Sequence, residues 1–136
     1  MRRVVVDTNC LLASISPRSP YYRLYRLFEA EAFEWVVSNE ILTEYEEQLT
    51  KHYSAATANL VLTILTVAPN THFQEAYYNW QLITADGDDN KFVDVAIAAG
   101  AEFLVTNDRH FQVLQAIEFP LVPVISLAGF LDVFWP

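Results

Sequence analysis

Cysteine occurs once in the 136 residues, at Cys10. That excludes a disulfide framework and a cysteine-built zinc site. It leaves two readings for the side chain, a small buried residue or a reactive thiol. Glycine is equally scarce, with Gly87, Gly100 and Gly129 the full set. No flexible linker divides the chain, and no repeat or low-complexity run interrupts it. Residues 1–136 therefore read as a single domain. Long apolar runs are missing too: residues 60–68 and 92–101 are too brief to cross a bilayer. The start Met1-Arg2-Arg3 is positive, but only three valines separate it from Asp7, too few for a signal peptide. A cytoplasmic protein without membrane contact is the expectation. Basic residues are few, 8 against 17 acids, for a formal net charge of −9. Broad adhesion to nucleic acid needs a basic surface, so this balance argues against it. It leaves room for an acidic site that holds cations, and equally for charge that serves only solubility.

What the chain has is apolar substance, 53% of its residues, in segments that alternate between strand and helix patterns. Residues 3–6 form an unbroken β-branched run, the mark of a strand buried on both faces. Ser19-Pro20 reads as a cap and first helical position, with Tyr21, Leu24, Leu27 and Phe28 at helical spacing to about residue 32. Residues 34–37 give a second strand. Ser38 caps a helix over 39–52 and Ser54 another through Val67, before Pro69. A strand near residues 72–74 follows. Asp86 to Asp89 is a turn leading into a helix from about Asp89 to Ala99, stopped by Gly100. Residues 103–106 are a strand, 109–116 a short helix, 122–125 a last strand and 127–134 a closing helix. This alternation predicts an α/β fold with a mainly parallel sheet.

Such sheets carry their sites at the carboxyl ends of the strands, and acids gather where that rule points. Asp7 follows the first strand, Glu40 and Glu44 lie just after the second, and Thr106-Asn107-Asp108 follows the strand at 103–106. Asn90 and Asp94, four apart, share a helix face. Asp94 sits among Phe92, Val93, Val95, Ala96 and Ile97, where a carboxylate needs a cation or a hydrogen-bond network to offset its burial. Clustered oxygens without a catalytic His, Ser or Cys partner suit Mg²⁺ or Mn²⁺ and phosphodiester hydrolysis better than acyl transfer. Each acid also has a plain reading. Asp7 and Asp108 can cap the turns that follow them, Asp86 and Asp88 can be solvated, and Asp94 can be a buried acceptor. Glu44 flanks the apolar face of its helix no more closely than Glu46 does. His52, His72 and His110 show no metal-ligand spacing and read as surface or structural residues.

Taken together, these segments resemble the PIN-domain family. Val4-Val5-Val6-Asp7-Thr8-Asn9 is similar to its opening motif, and Ser38 to Glu47 (SNEILTEYEE) to its second, whose helical glutamate falls on Glu44. Asp88 to Asp108 (DDNKFVDVAIAAGAEFLVTND), continuing into Arg109-His110-Phe111, resembles the third and fourth. The likeness covers nearly the whole chain and is nearest to the toxins of toxin–antitoxin systems. It implies a three-layer α/β/α sandwich and RNA cleavage dependent on Mg²⁺ or Mn²⁺. It implies Asp7, Glu44 and Asp108 as metal acids, with Thr106 and Asn9 as polar supports. It also implies an antitoxin partner and a homodimer. One position departs from the family pattern. Asn90 stands where many relatives carry aspartate, eighteen residues before Asp108. Asp94, one turn later on the same face, is the expected substitute, with Asp89 and Asn90 in reserve; on an ideal helix Asp89 points elsewhere.

Two other functions compete. Asn90 favours a PIN-like module whose weakened site binds RNA or a protein. An acidic phosphotransfer domain shares the α/β pattern but lacks a convincing set of phosphoacceptor aspartate and downstream lysine. Arg18, Arg23, Arg26, Lys51, Lys91 and Arg109 are the cations available to meet RNA, as a local rim or as ordinary surface charge. Phe130, Leu131, Val133, Phe134 and Trp135 either pack on the core or form part of a dimer face.

Overall fold

The computed structural model describes residues 1–134; of the C-terminal apolar group, Trp135 lies outside them. Strand β1 (Arg3–Val6) leads into helix α1 (Thr8–Ser14) and then α2 (Tyr22–Glu29). β2 (Glu34–Val37) is followed by α3 (Asn39–His52) and α4 (Ala55–Val67), then by β3 (Thr71–Phe73). A long irregular stretch and a 3-10 turn (Gly87–Asp89) precede α5 (Asn90–Ala99) and β4 (Phe103–Val105). A 3-10 segment (Arg109–Ala116), β5 (Val124–Ile125) and α6 (Leu127–Val133) complete the chain.

The five strands form one parallel sheet in the order β3-β2-β1-β4-β5. Successive side chains along a strand point to opposite faces, yet Val4, Val5 and Val6 are all fully buried. Both faces of β1 are therefore covered, and the result is a three-layer α/β/α sandwich. The same uninterrupted burial recurs at Trp35, Val36 and Val37 and at Leu104 and Val105. Serine caps begin three helices. Ser38, Ser54 and Ser126 accept from the backbone N–H groups of Ile41, Thr57 and Gly129 at 3.1, 3.0 and 3.0 Å, each worth about 1 kcal/mol. Gly100, at φ +61°, closes α5 in the left-handed conformation. Phe130 stacks edge-on against Phe33 and Phe103, and Phe134 against Phe130. These two aromatic residues of the C-terminal group thus serve the core.

Three sequence expectations shift. α1 has no counterpart among them. α2 begins two residues after Pro20, because the Ser19 hydroxyl accepts from the Tyr21 N–H at 3.0 Å and closes a turn instead of capping a helix. Residues 109–116 wind as a 3-10 segment. No helix among the described residues is long and apolar enough to cross a membrane.

The topology sets the place of the site. The chain runs outward from β1 to β2 to β3, then crosses β1 to add β4 and β5 on the other side. The reversal falls between β1 and β4, where an open parallel sheet leaves a crevice at its carboxyl edge. Asp7 and Thr106-Asn107-Asp108 are the residues that leave those two strands.

Candidate functional site

Asp7 is held by its neighbours on both sides. Its N–H donates to the Val105 carbonyl at 2.9 Å, which ties the exit of β1 to that of β4. The preceding carbonyl, of Val6, accepts from the Tyr45 hydroxyl, and that hydroxyl accepts from Trp35 Nε1 at 3.2 Å. Asp7 stands at the cap position of α1 but makes no side-chain capping bond. Instead its Oδ2 accepts from Thr106 Oγ1 at 2.8 Å. The Thr106 oxygen accepts in turn from the Asp108 N–H at 3.0 Å, so one hydroxyl sets both acids. Asp7 is only 5% exposed. Burial lifts its carboxyl from 3.8 to about 6, against the Thr106 hydrogen bond and with the added charges of Asp89 and Glu44.

Glu44 arrives from α3. Thr8 Oγ1 donates to one of its oxygens, and Lys91 Nζ is paired with the other. Burial opposes the charge on Lys91, but the hydrogen bond and charge of Glu44 outweigh it and raise the ammonium pKa. Asp108 fulfils the plain expectation: its Oδ1 accepts from the His110 N–H at 2.9 Å, capping the 3-10 segment, and the residue also lines the same concavity as Asp7.

Asp89 is the acid that sequence reasoning turned the wrong way. An ideal helix starting there points it elsewhere, but α5 starts at Asn90 and Asp89 ends the tighter 3-10 turn. Its side chain enters the acid cluster. It is 9% exposed, and its buried Oδ2 has no hydrogen-bond partner among the described residues. Burial, then the charges of Asp86 and Asp108, raise its pKa to about 6 against the influence of His110.

Asp7, Glu44, Asp89 and Asp108, with Thr8, Asn9, Gln48, Asp86 and Asp88, line a concavity of about 190 Å³. Asn9 is exposed there, and its side chain makes no hydrogen bond among the described residues. Asp94 is not gathered with the others. It lines a larger neighbouring hollow of about 510 Å³, where its Oδ1 accepts from the Trp80 N–H at 3.1 Å. Burial raises its pKa, and the acid that acts on it is Glu40. Asn90 faces the same way: its Oδ1 accepts from the Ile83 N–H and its Nδ2 donates to the Ile83 carbonyl, both at 2.9 Å. These two residues clamp the irregular stretch 74–86 to α5. Four of the ten residues lining the larger hollow come from that stretch, whereas the smaller one gathers the convergent acids.

Most of the supposed basic rim lies elsewhere. Arg26 pairs with Glu29 within α2, and Arg23 donates to the Leu131 carbonyl. Lys91 alone of those six cations lines the hollows beside the acids. Cys10 is buried, and burial next to Asp7 pushes its thiol up to about 12, so it is packing rather than a nucleophile.

Four carboxylates from four separate segments thus converge at the switch point of a parallel sheet. They bring an unsatisfied buried oxygen on Asp89 and two carboxyls held well above their usual range. That donor set is all oxygen and suits a hard divalent cation of the Mg²⁺ or Mn²⁺ kind. Fold and site together define a parallel α/β domain of the acid-cluster type. The comparisons with known proteins sharpen this: the chain belongs to the PIN domain family, whose profile matches residues 3–110. Among solved structures it resembles VapBC2 from Rickettsia felis bound to a DNA fragment from their promoter. That match has 18% identity and a TM-score of 0.64, covering 91% of this chain and 98% of that one. It also resembles VapC20 of Mycobacterium tuberculosis, described as a sarcin–ricin loop cleaving toxin. Here identity is 13% and the TM-score 0.62, covering 85% of this chain and 97% of that one. No curated protein matches the chain in sequence.

Proposed function

We propose that this protein is a Mg²⁺- or Mn²⁺-dependent endoribonuclease that hydrolyses RNA phosphodiester bonds as the toxin of a toxin–antitoxin pair. The observation that carries the reading is the convergence of Asp7, Glu44, Asp89 and Asp108 on one concavity. The names of the two structural neighbours support it, one a cleaving toxin and the other a complex with its promoter fragment.

Asp7, Asp89 and Asp108 are the residues that would hold the cation, with Glu44 beside them. A bound divalent ion supplies an activated water at neutral pH and offsets charge on a phosphate oxygen. The chain's own part is positioning. Thr106 fixes the Asp7 carboxylate and the Asp108 backbone through one hydroxyl. Thr8 and Lys91 fix the Glu44 carboxylate. Lys91 also sets a positive charge at the lip of an otherwise acidic hollow, where a phosphate must approach. The raised pKa values of Asp7 and Asp89 record repulsion and desolvation that a cation relieves.

On this reading RNA is the substrate, an antitoxin is the protein partner, a homodimer is the assembly and the cytoplasm is the compartment. The rival, a binding module with a weakened site, drew on Asn90. Asn90 clamps Ile83 with both halves of its amide, which gives the residue a structural use on either reading. The test is cleavage of a mixed RNA pool with Mn²⁺, with EDTA, and with Asp7→Asn. Cleavage confined to the wild type with metal is expected; equal cleavage by Asp7→Asn overturns the assignment.

A further inference from the structure

Asn90 and Asp94 stand outside the gathered acids, yet both act on one segment. Asp94 Oδ1 accepts from the Trp80 N–H at 3.1 Å, and the Asn90 amide bonds both backbone groups of Ile83 at 2.9 Å. Between those two anchors Gln81 is held at φ +54°, a left-handed conformation that residues with a side chain rarely adopt. What the clamp presents is Trp80. Its ring meets Tyr78 at 4.7 Å between centroids and Phe119, from the loop before β5, at 6.3 Å. Both contacts are edge-to-face, at 61° and 83°, and such a contact covers a face of one ring only. Tyr78 is 66% exposed and Phe119 84%. Rings of this size are ordinarily turned inward, so three in contact at the surface form an open shelf.

The shelf adjoins the acids. Asn79 and Gln81, on either side of Trp80 in the chain, line the hollow of about 510 Å³, and Asp88 lines both that hollow and the acid concavity. Charge points the same way as place. The chain carries −9 overall, yet residues 76–85 hold no charged side chain, nor do residues 119–131. An acidic surface repels an RNA strand, and Lys91 alone of the six candidate cations stands beside the acids. Ion pairing therefore offers little grip, whereas aromatic rings hold nucleobases by stacking, which needs no charge. The side chains of Asn79 and Gln81 are exposed and make no hydrogen bond among the described residues, so their amides are open to a base edge. We propose that Tyr78, Trp80 and Phe119 form a nucleobase-stacking shelf that grips one unpaired base of the RNA beside the acid concavity. This rests on the nuclease reading and adds to it where the strand is held. A base inside a duplex is already stacked on its neighbours, so only an unpaired one reaches the shelf.

The test uses the full chain in EDTA, so that no RNA is cut. With ¹⁵N-labelled tryptophan, AMP should shift the indole N–H resonance of Trp80, while ribose 5-phosphate, which has the sugar and phosphate but no base, leaves it in place. Buried Trp35 is the internal reference, and Trp80→Phe identifies the signal. By fluorescence anisotropy on a labelled single-stranded RNA of random sequence, Trp80→Ala and Phe119→Ala should each weaken binding at least about fivefold, and Trp80→Phe less than about twofold. Tyr78→Ala and Phe119→Ala remove exposed rings, so they carry the test should Trp80→Ala fail to fold. Binding should weaken with salt at a log–log slope shallower than about −1, since one lysine contact to a single strand gives about −0.7. If AMP leaves Trp80 unmoved, if ribose 5-phosphate moves it equally, if the wild type does not bind the single strand or if the ring variants bind it as the wild type does, the shelf is overturned. Ring variants that keep RNA binding and lose self-association in sedimentation would mark the surface as a protein interface instead. Cleavage that survives Asp7→Asn removes the nuclease reading without altering these results, and failure of the shelf leaves the Asp7→Asn result standing.

Discussion

Removing the charge at position 7 should make the metal-free protein more stable and abolish its activity. In the folded chain Asp7 titrates near 6, against 3.8 for a free aspartate. Its ionised form is therefore disfavoured by folding, and the gap is worth about 3 kcal/mol at neutral pH. The sign follows from proton counting. Between about pH 4 and 6 the folded state holds a proton that the unfolded state has released, so stability falls as pH rises through that window. Below it both states are protonated and nothing is lost; above it the full cost applies. Asp7→Asn carries no charge, and its amide oxygen can still accept from Thr106. The new amide N–H group, where it finds no partner, returns about 1 kcal/mol of the gain. A net stabilisation of about 2 kcal/mol at pH 7.5 corresponds to roughly 6–8 °C in a domain of this size. The assay is thermal unfolding of both proteins in EDTA from pH 4 to 8, repeated with Mn²⁺. In EDTA the variant should be slightly the less stable at pH 4, by the cost of that N–H group, overtake the wild type before pH 5 and level off above pH 6. With Mn²⁺ at a hundred times its Kd the wild type should gain about 2.7 kcal/mol and the variant far less. An Asp7→Asn protein less stable than wild type in EDTA at pH 7.5, or a difference that ignores pH, would refute this account of the site.

The other predictions concern the residues around it. Asn90→Asp, which restores the family's acid, should not raise cleavage; it loses the donor to the Ile83 carbonyl and sets a charge against it, lowering stability by about 2 kcal/mol in denaturant titration. Asp94→Asn keeps an acceptor for the Trp80 N–H and should retain wild-type cleavage and metal-induced thermal shift within twofold. Lys91→Met strips Glu44 of its counter-charge, so it should cost roughly 1–2 kcal/mol in EDTA. That deficit should shrink in saturating Mn²⁺, where a cation again faces Glu44; a deficit that stays constant would disconnect Glu44 from the metal.

The central architecture was legible because its signals are redundant. β1, β2 and β4 are short apolar runs between polar residues, and α3 to α5 carry serine caps or a terminal glycine. Each local pattern agreed with the βα alternation. α1 was not legible: Thr8-Asn9-Cys10 are weak helix formers, and no cap bond opens it. That helix exists because Cys10 and Leu11 are buried against the core, a tertiary gain without a local sign. Ser19-Pro20 failed for the opposite reason. It is a good local start signal, but the Ser19 hydroxyl donates back to the Ala13 carbonyl and holds the residue in a turn.

The acids divide along the same line. Helical periodicity correctly put Asn90 and Asp94 on one face, and burial among apolar residues correctly demanded compensation for Asp94. What periodicity does not contain is which neighbour that face meets. The face meets the backbone of the stretch 74–86, where the Trp80 N–H compensates Asp94 and Ile83 engages Asn90. Asn90 both donates to and accepts from Ile83, a pair of bonds that an ionised aspartate cannot make. The charge that seemed missing sits one residue earlier. The chain enters α5 through a 3-10 turn, and at three residues per turn rather than 3.6 the Asp89 side chain is carried toward Asp7 and Asp108. A single turn of tighter winding thus brings Asp89, rather than Asp94, beside Asp7 and Asp108, and sequence spacing alone does not encode it.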